Sequence, residues 1–390
     1  MDIQQIRNDT PACSSSLFLN SAGSSLSPAV VNKAIVDYLA EEEKLGGYKL
    51  AEIKERELNG FYHEAAKLVN STPSNIALTY NATDAYARAL SCIPFRKGDV
   101  ILTTEDDYVS NYFNFITLAK RFQTRFITIK NHGDGGVDMI AFEELVLRHQ
   151  PRLVSVSHVP THTGMVQDAA SIGAVCEKHN VLYLLDACQS VGQLSVDVKK
   201  LKCDFLSATG RKFLRGPRGT GFLYISSSVL ARDMAPLFMD LRGADWVSRD
   251  KYKISQDAKR FEHWEVPYAL MMGLKEALGY VNGIGMDKID AYNKTLMQRL
   301  RGNLSSVRNL QVYDKGARLC NILTFRKKGK TLEETKHALD KAGVLYSVTM
   351  RSNAQISFSK YGIEWAIRLS PHYFNTIDEI DQVSEVINSL

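Results

Sequence analysis

The sequence predicts an α/β protein: a large domain built on a mostly parallel sheet with helices on both faces, followed by a smaller α+β domain. Three observations carry this. Strand-length apolar runs recur at residues 100–102, 125–129, 153–157 and 181–185. Helix-length segments (110–121, 141–149 and 169–179) separate them, and such alternation argues for parallel strands joined by crossover helices. At 390 residues the chain is also too long for one ordinary core, which points to two domains.

Two further strands are expected at 205–208 and 221–225, joined through the Gly- and Arg-rich segment 210–219. Beyond residue 265 the rhythm changes. Helical patterns at 268–280 and 288–305 lead into strands near 321–325, 344–347 and 367–370, with helices at 332–342 and 376–390. The expected division is an N-terminal segment 1–20, a large domain 21–265 and a small C-terminal domain 266–390. The sequence has no internal repeat or linker-like tract, so the two domains should pack closely.

Composition narrows the class. With 45% hydrophobic and 23% charged residues the chain has ample material for a core. Its net charge of +5 is spread out, whereas a nucleic-acid partner calls for a clustered basic face. The run Arg326-Lys327-Lys328-Gly329-Lys330 reads as a solvated turn. Cys13, Cys92, Cys176, Cys188, Cys203 and Cys320 show neither a CxxC pair nor a metal-ligand rhythm, which suits free thiols in a reducing compartment. No stretch approaches ~18 apolar residues and no secretory pattern opens the chain, so a cytoplasmic protein without a membrane partner is expected.

Three segments carry chemistry. In Cys203-Asp204-Phe205-Leu206-Ser207-Ala208-Thr209-Gly210-Arg211-Lys212, followed by Gly216-Pro217-Arg218-Gly219-Thr220-Gly221, an apolar strand ends in hydroxylated residues, a lysine and a glycine-rich return. Partial burial and neighbouring cations would lower the lysine pKa, leaving a free amine to attack an aldehyde. A surface turn with a solvated lysine would look similar. In Val181-Leu182-Tyr183-Leu184-Leu185-Asp186 a strand ends in a carboxylate, where parallel sheets bind ligands. Its useful partner would be a protonated pyridine nitrogen, although an aspartate there also caps helices. In Leu78-Thr79-Tyr80-Asn81-Ala82-Thr83-Asp84, backbone N–H groups and the Thr83 hydroxyl would cradle a phosphate, or merely cap a helix.

Together, and in their order and spacing, these segments resemble the class V aminotransferase-like group of fold-type I pyridoxal 5'-phosphate (PLP) enzymes. The resemblance runs from Leu19-Asn20-Ser21-Ala22-Gly23 to Arg368-Leu369-Ser370-Pro371-His372-Tyr373-Phe374-Asn375-Thr376. It implies a seven-stranded large-domain sheet, PLP as cofactor, Lys212 as the Schiff-base lysine and Asp186 as partner of the pyridine nitrogen. It places Gln189 and Thr161 by the ring oxygen, and Ala82, Thr83, Thr209 and Arg211 at the phosphate. Arg368 matches the arginine that clamps the substrate α-carboxylate, a task suited to its bidentate fork. Ala22 and Gly23 fall at the substrate. In Glu105-Asp106-Asp107-Tyr108, Tyr108 is expected to stack on the ring. Desulfurases carry Gly-Thr where this chain has Trp264 and Glu265, so Trp264 is expected either to shape the substrate pocket or to pack at an interface. Relatives build the site at a two-fold interface, which implies a homodimer.

Desulfuration needs a mobile cysteine in a small-domain loop, and residues 347–356 contain none. The motifs look most like the branch of hercynylcysteine sulfoxide lyases and isopenicillin N epimerase-like proteins. The expected activity is therefore C–S cleavage of a cysteine S-conjugate or its sulfoxide by β-elimination, with Lys212 as base and Tyr108, or less directly His162, as acid. Epimerisation or transamination of another α-amino acid is the alternative, followed by cysteine desulfuration or PLP binding without turnover.

Overall fold

In the computed structural model, which describes residues 1–133 and 135–390, seven strands form the large sheet. They are β1 (Ile76–Thr79), β2 (Val100–Thr104), β3 (Arg125–Ile129), β4 (Leu153–Ser157), β5 (Leu182–Asp186), β6 (Phe205–Thr209) and β7 (Gly221–Ile225). Their spatial order is β1-β7-β6-β5-β4-β2-β3, and only β7 runs against the others. Every strand of the expected parallel set is present. Because the parallel strands share one direction, β2, β4, β5 and β6 all end on the same edge, at Thr104, Ser157, Asp186 and Thr209.

Alternation along the strands divides the interior into two cores. Leu78, Leu102, Val154, Val156, Tyr183, Leu185 and Leu206 face one side. Ala77, Ile101, Leu153, Leu182, Leu184 and Phe205 face the other. Period-two alternation with both faces apolar is what a sheet covered by helices on each side requires. The covering helices include α1 (Ala29–Leu45), α2 (Glu55–Leu68), α3 (Ala82–Ser91), α4 (Val109–Phe122), α5 (Met139–His149) and α6 (Ala169–Lys178). Asp138 and Asp168 cap α5 and α6 by accepting first-turn N–H groups.

An exposed hairpin, β8 (Ala244–Ser248) and β9 (Lys251–Ile254), precedes the long helix α7 (Tyr268–Ile284). Helix α7 contributes Met271, Leu274, Leu278 and Val281 to the larger core. Beyond α8 (Met286–Ser305), strands β10 (Leu310–Val312), β11 (Leu323–Lys327), β12 (Ser347–Met350) and β13 (Trp365–Leu369) form an antiparallel sheet of order β10-β11-β13-β12. Helices α9 (Leu332–Lys341), α10 (Gln355–Lys360) and α11 (Ile377–Ser389) accompany it. Leu300, Phe325, Ile367, Leu369, Ile380 and Val383 fill its core. Both α9 and α11 open with a capping box, Thr331/Glu334 and Thr376/Glu379.

The run expected as one strand at 344–347 is two. Val344–Leu345 pairs in parallel with Leu17–Phe18 from the N-terminal segment, while β12 pairs with β13. Two different partners demand a break, and it falls at Tyr346. The cysteine-free stretch 347–356 is β12, a 3-10 turn over Arg351–Asn353 and the start of α10. Among the described residues, no helix is long and apolar enough to cross a membrane.

Candidate active site

Strands β5 and β6 are neighbours in parallel register, with Asp186 opposite Ser207. That pairing sets the Asp186 carboxylate beside the turn after β6 that carries Lys212. Asp186, Lys212, Tyr108, Ala82, Thr83, Thr161, Gln189, Thr209 and Arg211 all line one cavity of about 480 Å³. The loop after β5 clears the Lys212 turn only because of Gly192. Its φ is +93°, and a Cβ there would lie 2.5 Å from the Phe213 backbone.

Asp186 and Lys212 are 6% and 7% exposed. Burial raises the Asp186 carboxyl pKa, partly offset by the Cys188 N–H donating to Oδ1 at 3.0 Å and by the Lys212 charge. Burial likewise lowers the Lys212 pKa; Arg211 and Arg368 lower it further while Cys188 and Asp186 oppose. A buried lysine among guanidinium groups holds its proton weakly, which is the condition for a nucleophilic or basic amine.

The remaining expected residues are placed as follows. Asn81 caps α3 by accepting from Asp84 N at 2.9 Å, with Ala82 and Thr83 starting the helix at the cavity. Gln189 donates to Ala22 O and to Thr161 Oγ1, both at 3.2 Å, while its buried Oε1 has no partner. Arg368 lies on β13 and crosses to the large domain, where Nη1 donates to both the carbonyl and hydroxyl of Thr161 at 2.8 Å. Its Nε donates to Ser347 Oγ at 2.9 Å. Burial and the nearby Arg211 pull the Arg368 pKa down to about 10. Arg211 donates to the Gly23 carbonyl. Thus Ala22, Gly23 and Arg368 meet the site through residues that line it. Trp264 does not line the cavity: it is 46% exposed, and its N–H donates to Asp240 at 3.2 Å.

His162, the second candidate acid, points elsewhere. Its Nε2 is 2.9 Å from both Asp106 Oδ1 and Ser357 Oγ, and it lines a smaller neighbouring cavity with Tyr313 and Tyr361. Cys320 is buried in a small apolar cluster, its thiol pushed up to about 12 by burial. Cys188 lines the main cavity; burial raises its pKa and the Lys212 charge opposes that.

Sequence reasoning missed Asn111, Ser157 and Arg218, which also line the cavity. Asn111 lies four residues after Asp107 on the first turn of α4, a helical spacing that sequence displays. Ser157 stands opposite Asp186 in the β4–β5 register, which sequence does not display.

This donor set fits PLP. A buried carboxylate suits a ring nitrogen, the orphaned Gln189 Oε1 has room for a donor, and a helix start with Thr83, Thr209, Arg211 and Arg218 suits a phosphate.

The family described as Aminotransferase class-V matches residues 17–383. A probable cysteine desulfurase of Methanothermobacter thermautotrophicus is 28% identical, covering 100% of this chain and 98% of the relative. One of Pyrococcus abyssi is 27% identical, covering 99% and 97%. Among solved structures, the apo cysteine desulfurase of Thermococcus onnurineus superposes with a TM-score of 0.92 at 23% identity, covering 100% and 98%. The cystine C–S lyase C-DES, in complex with its product cysteine persulfide, gives 0.87 at 22%, covering 98% and 99%. At those identities the structures establish the fold. The finer likeness to hercynylcysteine sulfoxide lyases rests on sequence motifs alone.

Asp107, just before Tyr108, yields a prediction. Burial lifts its carboxyl from 3.8 to about 6, against hydrogen bonds from Ser157, Thr103 and Asn111, and the Asp186 charge adds to the lift. Tyr86 on α3 and Tyr112 on α4 are the other titratable groups coupled to it. A carboxyl whose pKa rises on folding stabilises the fold below its unfolded value, and that contribution is lost as pH climbs through the folded value. Denaturant unfolding of cofactor-free protein should therefore show the wild type losing on the order of 2 kcal/mol between about pH 4 and 6 relative to Asp107→Asn. Parallel pH profiles for the two proteins would contradict this.

Proposed function

The chain belongs to the class V aminotransferase family of PLP-dependent enzymes, and on that premise we propose that it cleaves the Cβ–S bond of a cysteine S-conjugate or its sulfoxide by β-elimination. The observation that carries the reading is a cavity lined by a candidate base, Lys212, and a candidate acid, Tyr108, together with a small-domain segment that offers no thiol. Residues 347–356 contain no cysteine, and Cys320 is buried away from the site.

PLP supplies the electron sink that makes an amino-acid α-proton labile. Arg368 holds the substrate α-carboxylate by its guanidinium fork. Lys212 Nζ, kept partly neutral by burial, takes the proton from Cα. The Cβ–S electron pair leaves with sulfur, and Tyr108 Oη gives that sulfur a proton. Hydrolysis of the three-carbon remainder yields pyruvate and ammonia. With PLP bound, Asp186 would hold the ring nitrogen's proton, Gln189 and Thr161 would face the ring oxygen, and Ala82, Thr83, Thr209 and Arg211 would hold the phosphate. An epimerase or aminotransferase would use the same base and clamp without the sulfur.

A second reading, atypical cysteine desulfuration, is favoured by Cys188 in the cavity wall and by the names of the relatives. One assay separates them. Turnover of cysteine S-conjugates and their sulfoxides should give pyruvate and ammonia in equal amounts, and Cys188→Ala should stay within about tenfold of wild type, as expected for a small apolar group. A persulfide on Cys188 during turnover of free cysteine would replace the lyase reading with desulfuration.

We further propose a homodimer. Leu237, Phe238, Trp246 and Tyr252 are 64%, 81%, 81% and 58% exposed on the hairpin β8–β9 and the segment before it. Apolar groups so concentrated in one stretch mark an interface more readily than a free surface. Light scattering should give twice the chain mass, and Trp246→Glu should shift it toward the monomer. A fully active monomeric wild type would contradict this.

A further inference from the structure

Behind the cavity wall, on the far side of Asn111 and Ser157, lies a second carboxylate to which the mechanism gives no task. Asp107 is 3% exposed and lies in the loop between β2 and α4. Four donors converge on it. Ser157 Oγ, the Tyr108 backbone N–H and Asn111 Nδ2 reach Oδ1 at 2.6, 2.7 and 2.9 Å, and Thr103 Oγ1 reaches Oδ2 at 2.6 Å. None of the four is a cation.

Asn111 Nδ2 also donates to Asp186 Oδ2, at 3.2 Å. An amide nitrogen carries two hydrogens, so both are committed, one to each carboxylate. The register adds a further tie, since Ser157 stands opposite Asp186 across β4 and β5. At one corner of the cavity, Asp186 and Asn111 in the wall and Asp107 behind them therefore form a pair of buried carboxylates bridged by a single amide. Such a pair repels itself at low dielectric unless a positive charge joins it. Lys212 supplies part of that charge, and a protonated ring nitrogen at Asp186 would supply more.

We propose that Asp107 is a positioning residue that, through Asn111, fixes the Asp186 carboxylate and strengthens its hold on the protonated ring nitrogen of the cofactor. This rests on the placing of Asp186 at that nitrogen. A neutral residue at position 107 would accept the same amide hydrogen, but it would add no negative field to keep the ring nitrogen protonated. The four donors keep the Asp107 charge tolerable in a site without a cation of its own. Burial raises both carboxyls, and the Asp186 charge adds to the rise at Asp107.

Binding, rather than turnover, tests this. Cofactor-free protein is titrated with PLP and with an analogue whose ring nitrogen is replaced by carbon. Asp107→Asn should weaken PLP about tenfold, a loss of about 1.4 kcal/mol, and leave the analogue within about twofold. Thr103→Val removes one donor from Asp107 and lies outside the cavity lining; it should weaken PLP about threefold and spare the analogue. Asn111→Ser should reproduce Asp107→Asn, and the double variant should be no worse than either single one, as one shared path requires. Unchanged analogue binding reports an intact fold in each case. Equal losses for PLP and analogue would reduce Asp107 to a structural role and overturn the proposal. Asp186→Asn is run alongside. If it too discriminates nothing, the placing of Asp186 fails and takes the relay with it; if it discriminates and Asp107→Asn does not, the relay alone fails.

Discussion

Everything at this site follows from burying a lysine and an aspartate together at the carboxyl edge of a sheet. Each is under a tenth exposed, and each is driven toward its neutral form by the loss of water. Ionised groups taken from water lose several kcal/mol unless they find partners. The surroundings supply partners selectively. Asp186 receives a backbone N–H and an amide, whereas at Lys212 two guanidinium groups add to the effect of burial while Cys188 and Asp186 oppose it. On the proposed reading this asymmetry leaves the lysine free to react and the aspartate ready for a cation.

The second determinant is how the C-terminal domain is fastened to that edge. Arg368 on β13 reaches across to Thr161, and Thr161 in turn accepts from Gln189. A few residues away, Ser357 on α10 contacts His162, which is bound to Asp106, and Lys360 pairs with Glu105 at 2.7 Å. Glu105 and Asp106 belong to the loop that leads to Asp107 and Tyr108. Arg368, the proposed carboxylate clamp, and Tyr108, the expected ring-stacking residue, are thus braced by the same domain contact. His162 therefore has a structural task that accounts for its burial without any part in the chemistry.

Much of this was legible before the fold was seen. Continuous apolar runs such as Val181–Leu185 announce strands because both faces must be apolar under two layers of helix, and an acid ending such a run, here Asp186, announces a ligand edge. Lys212, Asp186 and Thr83, which the structure brings to one cavity, stand out in the sequence because they sit at strand ends and a helix start. Asp107 was passed over because consecutive acids, Asp106 and Asp107, look alike in sequence yet have different partners. One meets His162; the other meets Asn111 and Ser157. Ser157 joins the site only through lateral strand register, and the split at Tyr346 arises only because an N-terminal strand returns to pair with Val344–Leu345. Those are contacts between distant parts of the chain, and local pattern does not encode them.

The central claim is that burial among cations makes Lys212 a weakly basic amine before any ligand arrives. The most direct measurement is the rate at which cofactor-free protein captures pyridoxal phosphate as a reducible Lys212 adduct, followed across pH at constant ionic strength. The account predicts that capture reaches its full rate well below the ordinary lysine value of 10.5, because the neutral amine is already present there. A rate still climbing through pH 10.5, as for a solvated lysine, would contradict it.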